Sequence, residues 1–173
     1  LERAAGLHIE GPLNLSRHFT LEEFTASEIA ARKGIDNSLP ERLIPNAVAL
    51  CEASMEPARL TLGPLHCNSG YRCKKLNTQV GGAKDSGHML AQAMDVIPLE
   101  PGRTTFDLFK WFVQNGTFTK LIWEFDGAWV HVGYDAKLAG VERTVWAASR
   151  VPNAKRPAYI QLAEEHLASM GVL

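Results

Sequence analysis

Two short apolar segments separated by Asp126-Gly127 constrain the fold of this chain more than any other feature. Residues 121–125 and 129–133 are rich in aliphatic and aromatic side chains, which favour β-strands. Asp-Gly is a dipeptide that favours a two-residue turn between antiparallel strands. The pattern therefore predicts a β-hairpin, and with it an antiparallel sheet in the second half of the chain.

The hairpin fixes which side chains share a face of the sheet. With a two-residue turn, Glu124 lies opposite Trp129 and Ile122 lies opposite His131, and directly opposite residues share a face. Glu124 is then diagonal to His131, roughly 7–8 Å away between Cα atoms. This spacing places a carboxylate near the histidine but not in direct contact with it. The other face is expected to form the core, with Trp123, Phe125, Val130 and Val132.

A second histidine and an aspartate precede the hairpin. His88 is followed seven residues later by Asp95, which lies in a segment, residues 91–98, predicted to be a strand. With His131 they form a set of two imidazoles and one carboxylate, which zinc accepts while a fourth position stays open. An open position is typical of a catalytic site, and this ligand set makes zinc the first choice over manganese or copper.

Such a site can hydrolyse a peptide bond if a carboxylate and a substrate-binding cation lie near it. Zinc makes hydroxide available near neutral pH, and a nearby carboxylate can take the proton and return it to a leaving amine. Glu124 is the favoured carboxylate, with Asp126 as the alternative. Arg72 is a candidate for binding a substrate carboxylate, because a guanidinium binds carboxylates in a bidentate fork. Trp129 either walls this cleft or packs in the protein.

The rest of the pattern predicts helices around the sheet, and so an α+β fold with a small antiparallel sheet flanked by helices. Thr20 and Glu23 form a capping-box pattern at the start of the first helix. Further helices are predicted over residues 40–60, 74–80, 104–115 and 157–170, and a strand over residues 65–68. We expect an N-terminal arm over residues 1–18, a zinc domain over residues 19–137, and a helical extension over residues 138–173 that packs on it.

Composition excludes several classes of protein. The 173 residues carry a formal net charge of −1 and no basic run, so nucleic acid is not an expected partner. No apolar stretch reaches about 18 residues, so no membrane span is expected. No signal peptide is visible, but the chain begins at Leu1 rather than Met, so one removed by processing stays an open alternative. The odd number of cysteines argues against a disulfide framework, although Cys67 and Cys73 could pair.

Several motifs together resemble the family of zinc D-alanyl-D-alanine carboxypeptidases and L-alanyl-D-glutamate endopeptidases, most closely its bacteriophage and prophage branch. With the opening segment at residues 19–24, the similarity covers roughly residues 19–135. The motifs are Ser69-Gly70-Tyr71-Arg72, Leu76-Asn77, Val80-Gly81-Gly82-Ala83, Ser86-x-His88, Ala93-x-Asp95 and Trp129-Val130-His131.

This resemblance implies a compact α+β zinc domain of the Hedgehog and D-Ala-D-Ala peptidase type. It implies zinc on His88, Asp95 and His131, and a substrate site lined by Arg72 and Ser86. The implied substrate is a peptidoglycan stem peptide, cut at the L-Ala–D-Glu or the D-Ala–D-Ala bond. The implied setting is phage or prophage wall lysis, in the periplasm, outside the cell or in the virion, with other virion or lysis proteins as candidate partners.

Two positions depart from the family pattern. Ala91 stands where glycine is common, and its methyl group could crowd the loop if φ must be positive. Ala128 stands three residues before His131, where many members carry the catalytic acid. Either Glu124 or Asp126 replaces that acid, or the site binds metal without efficient turnover. The last case predicts a wall-binding or virion structural protein, whereas we expect a zinc metallopeptidase that uses Glu124.

Overall fold

The computed structural model describes residues 13–152, 154 and 157–173, so residues 1–12 of the predicted arm lie outside the described residues. The described residues form one mixed sheet with helices. The α-helices are α1 (Leu21–Thr25), α2 (Glu28–Lys33), α3 (Ile44–Leu50), α4 (Glu56–Leu62), α5 (Lys74–Gln79), α6 (Thr105–Asn115) and α7 (Glu164–Ser169). The strands are β1 (Leu65–Ser69), β2 (Ala93–Pro98), β3 (Lys120–Glu124), β4 (Trp129–Gly133), β5 (Thr144–Ser149) and β6 (Ala158–Gln161).

The expected α+β class is confirmed, but the expectation of an antiparallel sheet is wrong. The six strands described pair in the order β1-β2-β4-β3-β5-β6, and β3 pairs with β5 in parallel. The other neighbouring pairs are antiparallel. The cause is the connection over residues 134–143, which returns the chain to the far side of β3. There β5 runs opposite to β4 and hence in the same direction as β3.

The helix predicted over residues 40–60 contains a π-helical turn. A 3₁₀ turn at Glu41–Leu43 leads into α3, and the π-helical turn at Cys51–Met55 joins α3 to α4. The N–H of Glu56 donates to the carbonyl of Cys51, five residues earlier. This wider turn ends two residues before Pro57, whose ring and missing N–H disturb a regular helical ladder.

One face of the sheet packs against the helices and forms the core. Val130 and Val132 are fully buried there, as the hairpin pattern predicts. The Trp123 ring packs against the rings of Phe106 and Phe109 of α6, with centroids 5.6 and 5.3 Å apart. The opposite face carries the polar side chains of the candidate site. The three cysteines, Cys51, Cys67 and Cys73, are all free thiols, so Cys67 and Cys73 do not pair.

The hairpin has the predicted register but a longer turn. Glu124 pairs with Trp129 and Ile122 pairs with His131. The turn spans four residues, 125–128, because the N–H groups of Gly127 and Ala128 both donate to the carbonyl of Glu124, at 3.1 and 2.9 Å. Phe125 therefore lies in the turn rather than on the core face, where it was predicted. Its ring packs against Trp129 at 5.1 Å and against the Arg150 guanidinium at 4.7 Å.

The extension over residues 138–173, predicted to be helical, contains strands as well as a helix. Two strands, β5 and β6, extend the sheet beyond β3, and only the short helix α7 follows them. In β5, Thr144, Val145 and Trp146 are residue types that favour strands, and pairing with β3 and burial of Val145 and Ala148 stabilise the strand further. Leu167 and Val172 then reach the core from the end of the chain. No helix in the described parts of the chain is both long and apolar enough to cross a membrane.

Candidate metal centre

Strand pairing brings an aspartate and a histidine together on the polar face of the sheet. In the antiparallel pair of β2 and β4, Asp95 lies directly opposite His131. Opposite residues share a face, so both side chains leave the sheet on the same side. The Nδ1 atom of His131 lies 2.8 Å from the Oδ1 atom of Asp95. Two of the three predicted ligands are thus adjacent because of strand register alone.

The third predicted ligand comes from a 3₁₀ turn that precedes β2. His88 lies within Gly87–Leu90, with Nε2 at 3.3 Å from Asp95 Oδ2 and 3.2 Å from His131 Nδ1. Its other ring nitrogen, Nδ1, donates to the carbonyl of Gly70 at 2.7 Å. A carbonyl only accepts, so the proton is on Nδ1 and the Nε2 lone pair faces the cluster. Metal-binding histidines are commonly oriented by such a bond to their second nitrogen.

Gly70 connects the opening segment of the chain to this histidine. A Cβ atom at Gly70 would lie 2.3 Å from the carbonyl oxygen of Phe24 and 2.4 Å from its ring, so only glycine fits. The N–H of Tyr71 donates to the same Phe24 carbonyl at 2.8 Å. The close contact with buried Phe24 therefore sets the position of the Gly70 carbonyl, which in turn orients His88.

The three side chains fit a divalent metal ion. Their ligand atoms lie within 4.8 Å of one another, and the closest separations are 2.8, 3.2 and 3.3 Å. Ligand atoms about 2.0–2.1 Å from a tetrahedral zinc lie about 3.3 Å apart, so little movement is needed to bind one. All three side chains are at least partly buried, and two nitrogens with one carboxylate form a donor set that zinc accepts.

The ionisation states of these side chains also suit a metal. Burial lowers the pKa of His88, and this effect outweighs the attraction of Asp95, which alone would raise that pKa. The imidazole is therefore neutral near pH 7. Burial alone would raise the pKa of Asp95, but the two imidazoles and their hydrogen bonds hold that pKa well below its usual range. A neutral imidazole and an ionised carboxylate are the forms that bind metal.

Arg72 lies beside the cluster. Its backbone N–H donates to the carbonyl of His88 at 3.2 Å, and its Nη2 atom lies 3.7 Å from Asp95 Oδ2. Its Nε is buried and has no hydrogen-bond partner among the described residues. A cavity of about 200 Å³ adjoins it, lined in part by Ser27 and Asn68. The guanidinium thus has a donor that no described residue uses.

Sequence reasoning missed Asn37, which holds Arg72 in place. The Nδ2 atom of Asn37 donates to the carbonyl of Tyr71 at 2.9 Å, and its Oδ1 accepts from the N–H of Cys73 at 2.8 Å. The two bonds flank Arg72 on both sides. Asn37 lies in a polar segment typical of a loop, so no sequence pattern distinguishes it from an ordinary turn residue.

Glu124 ends β3 on the same face as the cluster. Its side chain is 6% exposed, and its Oε2 atom has no hydrogen-bond partner among the described residues. Burial raises its pKa to about 7; the charge of Asp95 adds to this increase, whereas His131 and Arg72 oppose it. A buried carboxyl group with a free oxygen and a pKa near 7 is suited to accepting and releasing protons.

The other predicted site residues lie around this group. Asp126 is exposed in the turn with φ of 59°, and Ala128 is exposed two residues later. Ser86 begins the 3₁₀ turn that carries His88. Trp129 is half-buried and lies directly opposite Glu124. Of the two candidate carboxylates, the fold therefore brings Glu124 into the site and leaves Asp126 exposed in the turn.

Ala91, whose methyl group could crowd the loop if φ is positive, does adopt a positive φ. It ends the 3₁₀ turn with φ of 56° and ψ of 32°, and it is fully buried. A left-handed conformation costs a non-glycine residue about 1–2 kcal/mol. The turn nevertheless closes, because Gln92 donates its N–H to Gly87 at 2.9 Å, and His88 keeps its place in the cluster.

The fold and site define an α+β domain with a His–Asp–His group that could hold a metal ion. The family model described as Peptidase M15 matches residues 17–133, and the chain belongs to that family. No curated protein matches the chain significantly. M15 peptidases depend on zinc, and the His88–Asp95–His131 group is able to hold such an ion.

The Gly70→Ala substitution tests how His88 is held. We expect the free energy of unfolding to fall by about 1–3 kcal/mol, since the new methyl group overlaps Phe24. We also expect zinc affinity to fall about 10- to 100-fold, because the Gly70 carbonyl is displaced from His88. Gly34→Ala is the control: it adds left-handed strain in open space and should leave zinc affinity unchanged. Normal zinc binding by Gly70→Ala would contradict this account.

The raised pKa of Glu124 should appear in the stability of the zinc-free protein. Between its unfolded and folded pKa values, the folded chain binds more protons, so the free energy of unfolding falls as pH rises through that window. We expect wild type to lose about 2 kcal/mol relative to Glu124→Gln between pH 5 and pH 8. Urea unfolding at both pH values measures this, with Asp126→Asn as control. Parallel pH dependence in wild type and Glu124→Gln would contradict the burial argument.

Proposed function

We propose that this protein is a zinc-dependent hydrolase that cuts a peptide bond in peptidoglycan stem peptides. The bond is the L-Ala–D-Glu bond or the D-Ala–D-Ala bond. The observation that carries the proposal is the free, buried carboxyl oxygen of Glu124 beside the His–Asp–His cluster. A structural role would leave that oxygen without a hydrogen bond at a cost in stability, whereas a reacting water would give it a partner.

The side chains have distinct roles in this proposal. A zinc ion held by His88, Asp95 and His131 would supply a Lewis acid that polarises the scissile carbonyl and activates water. Glu124 takes a proton from the attacking water and returns it to the leaving amine. The pKa of Glu124, raised to about 7 in the metal-free chain, suits both steps, since the group exchanges a proton near neutral pH.

Arg72 supports the choice of substrate class. Both candidate bonds have a free carboxylate close to them on the stem peptide. The guanidinium of Arg72 is partly buried beside the cluster, and its Nε has no hydrogen-bond partner among the described residues. An arginine in such a place binds a carboxylate strongly and orients it, which would fix the scissile bond over the metal centre. Ser86 and Trp129 complete the proposed substrate site.

The proposal extends to domain organisation and to biological setting. Residues 19–137 would carry the zinc domain, residues 1–18 an N-terminal arm, and residues 138–173 an extension that adds β5 and β6 to the sheet of the domain. The resemblance to the phage and prophage branch supports wall lysis, at a periplasmic or extracellular site or in a virion. Other virion or lysis proteins would be its partners there.

Cleavage of purified peptidoglycan tests the proposed activity. We expect zinc-loaded wild type to release new amino and carboxyl termini, identified by mass spectrometry, and a chelator to abolish the release. Glu124→Gln should lose activity about 100-fold or more while it keeps one zinc ion per chain, since only the proton acceptor is removed. Asp126→Asn, which removes a carboxylate two residues away, should stay within about twofold of wild type.

Two results would contradict the proposal in different ways. Loss of activity in Asp126→Asn with full activity in Glu124→Gln would reverse the assignment of the proton acceptor. A wild-type protein that holds zinc but cleaves no bond at any pH would indicate a wall-binding or virion structural module. In that case Ala128, at the position of the family's usual acid, would be the first residue to replace by glutamate.

A further inference from the structure

A row of paired residues leads from the candidate site to the last strand of the sheet. Glu124 of β3 pairs with Ala148 of β5, and Ala148 pairs with Tyr159 of β6. Paired residues share a face, so Tyr159 projects from the face that carries the cluster. Two strand spacings place the Cα of Tyr159 roughly 10 Å from that of Glu124, on the side away from β4.

The residue between them is small, which leaves room for the tyrosine ring. Ala148 projects only a methyl group from the sheet, yet it is 2% exposed, so longer neighbours cover it. A tyrosine side chain is long enough to lie over this methyl group toward Glu124. Tyr159 is itself 49% exposed, so part of its ring remains accessible to a ligand.

The charges around Tyr159 place its hydroxyl in the electrostatic field of the site. Burial raises the pKa of Tyr159, and the carboxylates of Glu124 and Asp95 raise it further, whereas Arg72 lowers it. The effect is mutual, because Tyr159 also acts on the pKa of Arg72. The hydroxyl therefore stays protonated at neutral pH and is available as a hydrogen-bond donor.

We propose that Tyr159 is a substrate-contacting residue of this active site, whose hydroxyl donates a hydrogen bond to the bound peptide on the side of Glu124 opposite the His–Asp–His cluster. The proposal rests on the proposed function, since it adds a residue to the same site. Tyr159 lies outside residues 17–133, the part of the chain that the family model matches. Strand β6 would thus contribute a binding group to which the family match does not extend.

A purely structural role accounts less well for Tyr159. Backbone pairing with β5 already holds β6 in the sheet. The next residues, Ile160 and Gln161, are exposed, so β6 does not depend on a buried side chain at each position. A tyrosine on the site face, paired with a small residue and influenced by three charged groups of the site, is better suited to contact a ligand.

Steady-state kinetics of the zinc-loaded full chain test this inference. The substrate is a synthetic stem pentapeptide that contains both the L-Ala–D-Glu and the D-Ala–D-Ala bond. We expect Tyr159→Phe to lower kcat/KM about 3- to 10-fold, which is the effect of one lost hydrogen bond. Tyr159→Ala should lower it further, because the ring is also lost. Ile160→Ala, on the opposite face of the same strand, should stay within about twofold of wild type.

Two further measurements separate substrate contact from a fold defect. Zinc content and the thermal midpoint of Tyr159→Phe should equal those of wild type. In the Glu124→Gln background, calorimetry should show that Tyr159→Phe weakens binding of the intact pentapeptide.

The outcomes distinguish this inference from the proposed function. Active wild type with an unaltered Tyr159→Phe variant overturns only the role of Tyr159. Wild type that cleaves neither bond overturns the proposed function and the role of Tyr159 with it.

Discussion

The antiparallel pairing of β2 with β4 is the constraint on which the site depends. It places Asp95 opposite His131 at the centre of the sheet, and a shift of one residue would send one of the two side chains into the core. Fully buried Val96 and Val130, next in sequence on the opposite face, hold this register through the core. The same packing that stabilises the fold therefore also fixes two of the three candidate metal ligands.

The remaining parts of the site are attached to this centre through backbone contacts. The carbonyl of Gly70 orients His88, and Gly70 is held by close contact with Phe24. The backbone N–H of Arg72 returns to His88, while Asn37 fixes the chain on both sides of Arg72. Residues from separate sequence motifs therefore act together to hold the His88 imidazole in place. Such support lets a site tolerate the strained backbone at Ala91.

Local sequence patterns predicted the β3–β4 hairpin that carries part of the site. They missed β5 and β6, whose formation depends on pairing between strands that are not adjacent in sequence. The hairpin register follows from two apolar segments and a short turn, so Glu124 could be placed beside His131 from sequence. Strands β5 and β6 could not be found in this way, because parallel pairing with β3 joins residues distant in the chain. The segment around β6 is rich in helix-forming residues and largely exposed, so tertiary pairing decides its structure.

The most direct test of this account is anomalous diffraction at the zinc edge from crystals grown with zinc. We expect one strong peak per chain, within about 2.0–2.2 Å of His88 Nε2, an Asp95 carboxylate oxygen and His131 Nδ1. We expect Glu124 to lie outside direct bonding distance of that peak. A zinc ion bound elsewhere, or bound by Glu124 in place of one of the three ligands, would contradict the account.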